Sequence, residues 1–120
     1  MGDRCYVTAH VRAKDRDAFV KIVGEPNQEL VGTNLIEMEF EDANYGLFDE
    51  LDDAARAELL FVAYNGAGDN YSTGSYACNG EESIHVETSR DGDPVVSVPI
   101  DDDQLKRAET YLRIRDAVIE

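Results

Sequence analysis

Apolar and polar side chains alternate without a break from Cys5 to Arg12. Cys5, Val7, Ala9 and Val11 fall on one face and Tyr6, Thr8, His10 and Arg12 on the other, which predicts a half-buried strand over 6–12. The period then lengthens. Asp15 is placed to cap a short helix whose apolar positions are Ala18, Phe19, Ile22 and Val23, and Gly24 followed by Pro26 is a stop signal. Alternation returns from Leu30 to Glu41 and predicts a second strand, with Ile36, Met38 and Phe40 opposite Glu37, Glu39 and Glu41. Asn44-Tyr45-Gly46 reads as a turn. Leu51, Ala54, Ala55 and Leu59 then line one side of an acidic amphipathic helix over 48–59.

Leu59 to Tyr64 is continuously apolar, a pattern shared by buried strands and helix ends. The hairpin signals that follow favour a central strand. Turn residues recur at Asn65-Gly66-Ala67-Gly68, Asn79-Gly80 and Asp91-Gly92-Asp93. Between them lie short strands near 71–78, 82–89 and 94–99, which with 59–64 predict a four-stranded antiparallel meander. Asp101 can cap a helix reaching about Ala117, with Gln104 three residues on completing a capping-box pattern. Asp102 and Asp103 sit at the favourable end of that helix dipole, and Arg113 and Arg115 towards the other. Its apolar stripe reads as Leu105, Ala108, Leu112 and Ile119, flanked by Tyr111 and Val118. The expectation is one α+β domain over residues 1–120. Its antiparallel or mixed sheet has about five to six strands, with two to three helices packed mainly on one face.

Charge changes the picture most. The chain holds 26 acidic and 11 basic side chains, a net −15 over 120 residues. Residues 1–24 are +2, residues 25–100 hold seventeen acids against Arg56 and Arg90, and the last twenty residues are −2. Such an excess costs a domain stability through self-repulsion, so it points to solubility, solvent or a basic partner. With 42% hydrophobic residues, six Tyr and four Phe, the chain is expected to fold. No apolar run approaches a membrane span or a signal peptide, and Cys5 and Cys78 form no disulfide framework. A cytoplasmic protein with reduced thiols is the expectation. Eight of the eleven basic residues are Arg, and low Lys with high Asp and Glu also describes a protein from a high-salt cytoplasm.

Candidate chemistry is sparse. Cys5, His10, Cys78 and His85 are spaced five and seven apart, unlike the paired ligands of a zinc site, and read as two buried thiols and two surface imidazoles. Gly66-Ala67-Gly68 lacks the partners of a phosphate loop. Asp91-Gly92-Asp93 and Asp101-Asp102-Asp103 lack the twelfth-position Glu of a calcium loop and read as turn and cap. No serine stands in a nucleophile elbow. Ser83, His85 and Glu87 share a strand face without forming an oriented triad. No catalytic residue, cofactor or metal is expected. Tyr45, Tyr64, Tyr71 and Tyr76 fall near strand ends, where either a sheet edge or an interface would use them.

The acidic segment carries the functional expectation. Glu37, Glu39, Glu41, Asp42, Asp49, Glu50, Asp52, Asp53 and Glu58 put nine acids in twenty-two residues. Carboxylates two apart on a strand stand about 6.6–6.8 Å apart. That is about half the charge density of one DNA strand. In charge and size the chain is similar to small acidic inhibitors that occupy nucleic-acid-binding surfaces, such as phage proteins blocking restriction or CRISPR machinery, and to immunity proteins. That likeness implies a non-enzymatic protein whose residues 37–58 form one face for a basic nucleic-acid-binding protein or nuclease. Direct nucleic-acid or membrane binding is not expected. The alternatives are a housekeeping domain adapted to high salt, and a small ligand-binding or enzymatic domain using His10, His85 or the loop from Gly66 to Asn70. A pocket holding one of these histidines with a carboxylate partner would favour the last.

Overall fold

The computed structural model describes residues 4–68, 72–89 and 91–119, apart from the side chains of Arg4, Asp42, Asn44 and Tyr45. In chain order these form β1 (Arg4–Arg12), α1 (Arg16–Val23), β2 (Gln28–Val31), β3 (Leu35–Asn44), α2 (Phe48–Arg56), β4 (Leu60–Asn65), β5 (Gly74–Asn79), β6 (Ser83–Glu87) and α3 (Asp102–Ile119). The six strands make one antiparallel sheet in the order β2-β3-β1-β4-β5-β6. The α+β class and the strand number agree with the sequence pattern. The first four strands with α1 and α2 have the split β-α-β arrangement of ferredoxin-like domains. β5, β6 and α3 extend that unit on one side.

Two helices lie on one face and the third on the other. Val7, Ala9 and Val11 of β1 join Ile36, Met38 and Phe40 of β3 and Phe61 and Ala63 of β4 beneath Phe19, Val23, Leu51 and Ala54 of α1 and α2. Phe19 packs against Phe61 with ring centroids 5.4 Å apart, and Phe61 against Tyr76 at 5.7 Å. On the reverse face Val62, Ala77 and Val86 pack with Tyr111, Ile114 and Val118 of α3. The apolar run at 59–64 is thus explained: β4 is covered on both sides. β1 and β3 present Tyr6, Thr8, His10, Glu37 and Glu39 to the reverse face, so the apolar cover of α3 lies over β4, β5 and β6, with Leu35 at the start of β3 packed against it.

Three local expectations are corrected. The alternation over 30–41 is a hairpin, not one strand: β2 and β3 are joined at Gly32-Thr33-Asn34, with the Gly32 amide bonding the Leu35 carbonyl at 2.9 Å. The meander has three strands, because 94–99 contributes only the bridge from Thr88 to Pro94. Pro94 and Pro99 remove two of the amides a fourth strand would need. The buried stripe of α3 is Tyr111, Ile114 and Val118, whereas Leu105 and Ile119 are each 45% exposed.

Caps are used selectively. The Gln104 amide donates to Asp101 Oδ1 at 2.8 Å, as the capping pattern predicts. Gln104 does not close the box on the Asp101 amide: its Oε1 accepts from the Ser97 amide at 2.6 Å. Asp15 makes no cap bond to α1, and its Oδ2 instead accepts from the Leu60 amide at 2.9 Å, tying the start of β4 to α1. At the far end of α3, Arg12 Nη1 donates to the Val118 carbonyl at 3.2 Å, placing a cation at the negative end of the helix dipole.

Candidate functional site

Register across the sheet builds the site. One row on the reverse face runs Leu30, Glu37, His10, Val62, Ala77 and Ile84, and the next runs Gln28, Glu39, Thr8, Tyr64, Ser75 and Val86. The β4 to β6 end of each row is apolar or small and lies under α3. The β1 to β3 end is polar and uncovered, with Leu30 68% exposed. A cleft of about 790 Å³ opens where the two meet. Thr8, His10, Tyr64 and Ser75 form its floor, Tyr111, Arg115 and Ile119 its α3 wall, and Asp91 and Gly92 its end. The small residues Gly66 and Ser75 leave this volume unfilled.

Local irregularities set the rim. A register shift between Cys5 and Val7 bulges β1 and brings Tyr6 to the cleft edge, its carbonyl accepting from the Gly66 amide at 2.8 Å. A hydrogen bond to Glu39 is the main reason the Tyr6 hydroxyl holds its proton above the usual tyrosine range. At the other end, the Tyr111 hydroxyl donates to the Gly92 carbonyl at 3.1 Å and Arg115 Nη1 approaches the same oxygen at 3.3 Å. Gly92 has φ +85°, a turn conformation that favours glycine. Ser75 and Thr88 close the floor with a buried hydroxyl pair 2.8 Å apart.

His10 Nε2 lies 3.1 Å from Glu37 Oε1, so the cleft contains a histidine with a carboxylate partner. His85 is elsewhere. It faces α2 on the opposite side of the sheet, packed on Phe48 and Tyr76 with centroids 4.9 and 5.9 Å away, and is not the surface imidazole expected. Asn65 Nδ2 donates to the carbonyls of Gly66 and Ser72, which leaves Asn65 Oδ1 to accept from His85 Nε2 at 3.2 Å. Ser83 and Glu87 do not supply that bond.

Burial, with Arg107 in support and Asp52 opposing, holds the His85 pKa below its ordinary value of 6.5. A folded pKa below the unfolded one means the unfolded chain binds the extra proton first as pH falls through about 6.5. Stability from this group is therefore present above that pH and lost below it. Urea unfolding between pH 7.5 and 5.5 should show a steeper loss in the parent than in His85→Gln, and equal slopes would refute the burial. Burial and then Asp52, which accepts the Tyr76 hydroxyl at 2.6 Å, push the Tyr76 pKa up to about 12.

The predicted acidic surface is divided. Glu37 and Glu39 lie on the reverse face, beside the cleft, and Glu41 follows them on the same strand. Asp49, Glu50, Asp52 and Asp53 belong to α2, which packs on the opposite face through Leu51 and Ala54. Asp52 is bonded to Tyr76, and Asp53 pairs with Arg56 at 2.9 Å. The side chain of Asp42 lies outside the described residues, as do Tyr71 and the tip of the Gly66 loop from Asp69. Among the described residues, Glu37 and Glu39 and the acids of α2 therefore stand on opposite faces and do not form one continuous docking face. Further exposed acids stand at Glu58, Glu81, Asp93 and Asp101 to Asp103.

Sequence pattern does not reveal the cleft's chemistry, because Arg115 in the second half of α3 has the look of a helix-dipole partner. Tyr111, Ile114, Arg115 and Val118 share one helix face, so a cation sits within a buried stripe. That was the available signal. Among the described residues no group of His, Cys, Asp and Glu is arranged to hold a metal, and no helix is long and apolar enough to cross a membrane. No protein family, curated protein or solved structure matches the chain.

Proposed function

We propose that this chain is a small-molecule-binding domain whose site is the cleft between α3 and the Tyr6–His10 side of the sheet. The observation that carries this reading is the cleft itself. Its volume of about 790 Å³ suits a small organic ligand. Tyr6, Tyr64 and Tyr111 supply apolar surface with polar tips, and His10, Ser75 and Arg115 converge as orienting groups. The net charge is then a property of the whole surface, since exposed acids occur on both faces and in several loops.

Indole, an uncharged aromatic probe, tests the site. Titration followed by amide chemical shifts should perturb Thr8, Tyr64, Gly92 and Ile119, and Thr8→Trp should abolish the effect by filling the floor. Shifts scattered over the surface, or unchanged by Thr8→Trp, would remove this reading.

A second reading is favoured by one feature. The uncovered sheet end presents Glu37 and Glu39 beside Tyr6, 43% exposed, and Leu30. A basic protein, including one built to hold nucleic acid, could be steered there by the carboxylates and held by the exposed Tyr6 and Leu30.

A further inference from the structure

We infer that the ligand of this cleft carries a carboxylate, gripped by Arg115, on an aromatic or aliphatic body. This rests on the cleft being a ligand site. A guanidinium has five N–H donors. Arg115 places Nη1 3.3 Å from the Gly92 carbonyl and Nη2 3.5 Å from Asp116 Oδ1, both at the long end of useful contact. Its Nε is withdrawn from solvent and has no hydrogen-bond partner among the described residues. The side chain as a whole is 25% exposed, so its charge is reachable from the cleft, and Tyr111 already holds the Gly92 carbonyl at 3.1 Å. Pinning the turn therefore does not account for the arginine.

The arginine stands over the Tyr111 ring, 5.7 Å from its centroid, inside the cleft wall. A carboxylate in the cleft meets the Nη1 and Nη2 end of the guanidinium, whose present contacts are long, and takes two parallel hydrogen bonds there, the geometry a guanidinium presents best. The body of the ligand then lies along Val62, Tyr64 and Ile119. The negative field of the chain, net −15, charges a penalty for each anionic charge brought in. A monocarboxylate meets it once and a phosphate dianion twice. Glu37 does not compete, being turned to His10.

Indole-3-acetate and indole-3-acetamide, equal in shape and differing in charge, test the inference by amide shifts in 1 M KCl. The acid should bind the cleft at least about tenfold more tightly than the amide, the range expected of a charge-assisted hydrogen bond. Arg115→Met should bring the two to equal affinity, and Arg115→Lys, which keeps the charge but not the fork, should leave an intermediate ratio. Equal binding of acid and amide by the parent protein overturns the carboxylate and leaves the cleft standing. No cleft shifts with either compound, nor with indole, overturn the site as well. The parent comparison needs no variant, so a poorly folded Arg115→Met does not blunt it.

Discussion

Ile114→Ala is expected to lower the unfolding free energy by about 2–5 kcal/mol, the range for truncating a fully buried branched side chain. Ile114 is completely buried between Tyr111 and Val118, on the one helix that covers the reverse face of the sheet among the described residues. The void left there cannot be refilled by solvent-facing neighbours, because Val62, Ala77 and Val86 are fixed by their strands. For a domain of this length the loss corresponds to a melting temperature lower by roughly 8–20 °C. Leu105→Ala is the internal control. At 45% exposure it should change stability by no more than about 0.5 kcal/mol. Urea denaturation of both variants checks the pair. Equal losses would mean that α3 is rotated to bury the stripe through Leu105. In Ile114→Ala the amides of α3 should also exchange faster than those of β1, since α3 is held by the weakened stripe while β1 is held by the core on the other face.

The same helix shows where sequence pattern succeeds and fails. Strands β1 and β3 were legible because each has one buried face, and Val7, Ala9, Val11 and Ile36, Met38, Phe40 write that face as a strict alternation. The helices at 16–23 and 48–56 were legible for the same reason at the longer period. β2 was hidden. All four of its residues are exposed, so no buried face marks it, and only the Gly32-Thr33-Asn34 turn signalled the hairpin. The stripe of α3 was misread because Arg115 and Tyr111 stand in it, and a cation at a core position does not look like core. That stripe also conceals the cleft, whose floor joins β1 to the distant β4 and β5 and whose key cation comes from α3. Strand register, not local pattern, decides that Glu37 meets His10 while Asp52 meets Tyr76 on the opposite face.

Raising KCl from about 0.1 M to about 1 M is expected to stabilise the fold markedly, because the screening length falls from about 10 Å to about 3 Å. The acids are spread, so the repulsion is summed over many pairs at moderate separation, the range that salt screens best. Two triple variants separate diffuse from local repulsion. Glu37, Glu39 and Glu41 changed to Lys act on the uncovered end of the sheet, and Glu25, Glu58 and Glu81 changed to Lys act in three different loops. Each reversal shifts the charge by two, so both variants stand at −9 against the parent −15. If acidity is a whole-surface adaptation, both should raise the low-salt unfolding midpoint by similar amounts and flatten its rise with KCl. A gain confined to the β3 variant would locate the repulsion on that strand, and a parent midpoint indifferent to salt would remove the adaptation altogether. The same pair tests the second reading. A basic protein partner lost by the β3 variant but kept by the loop variant would assign Glu37, Glu39 and Glu41 to an interface, because global charge is matched and only its placement differs.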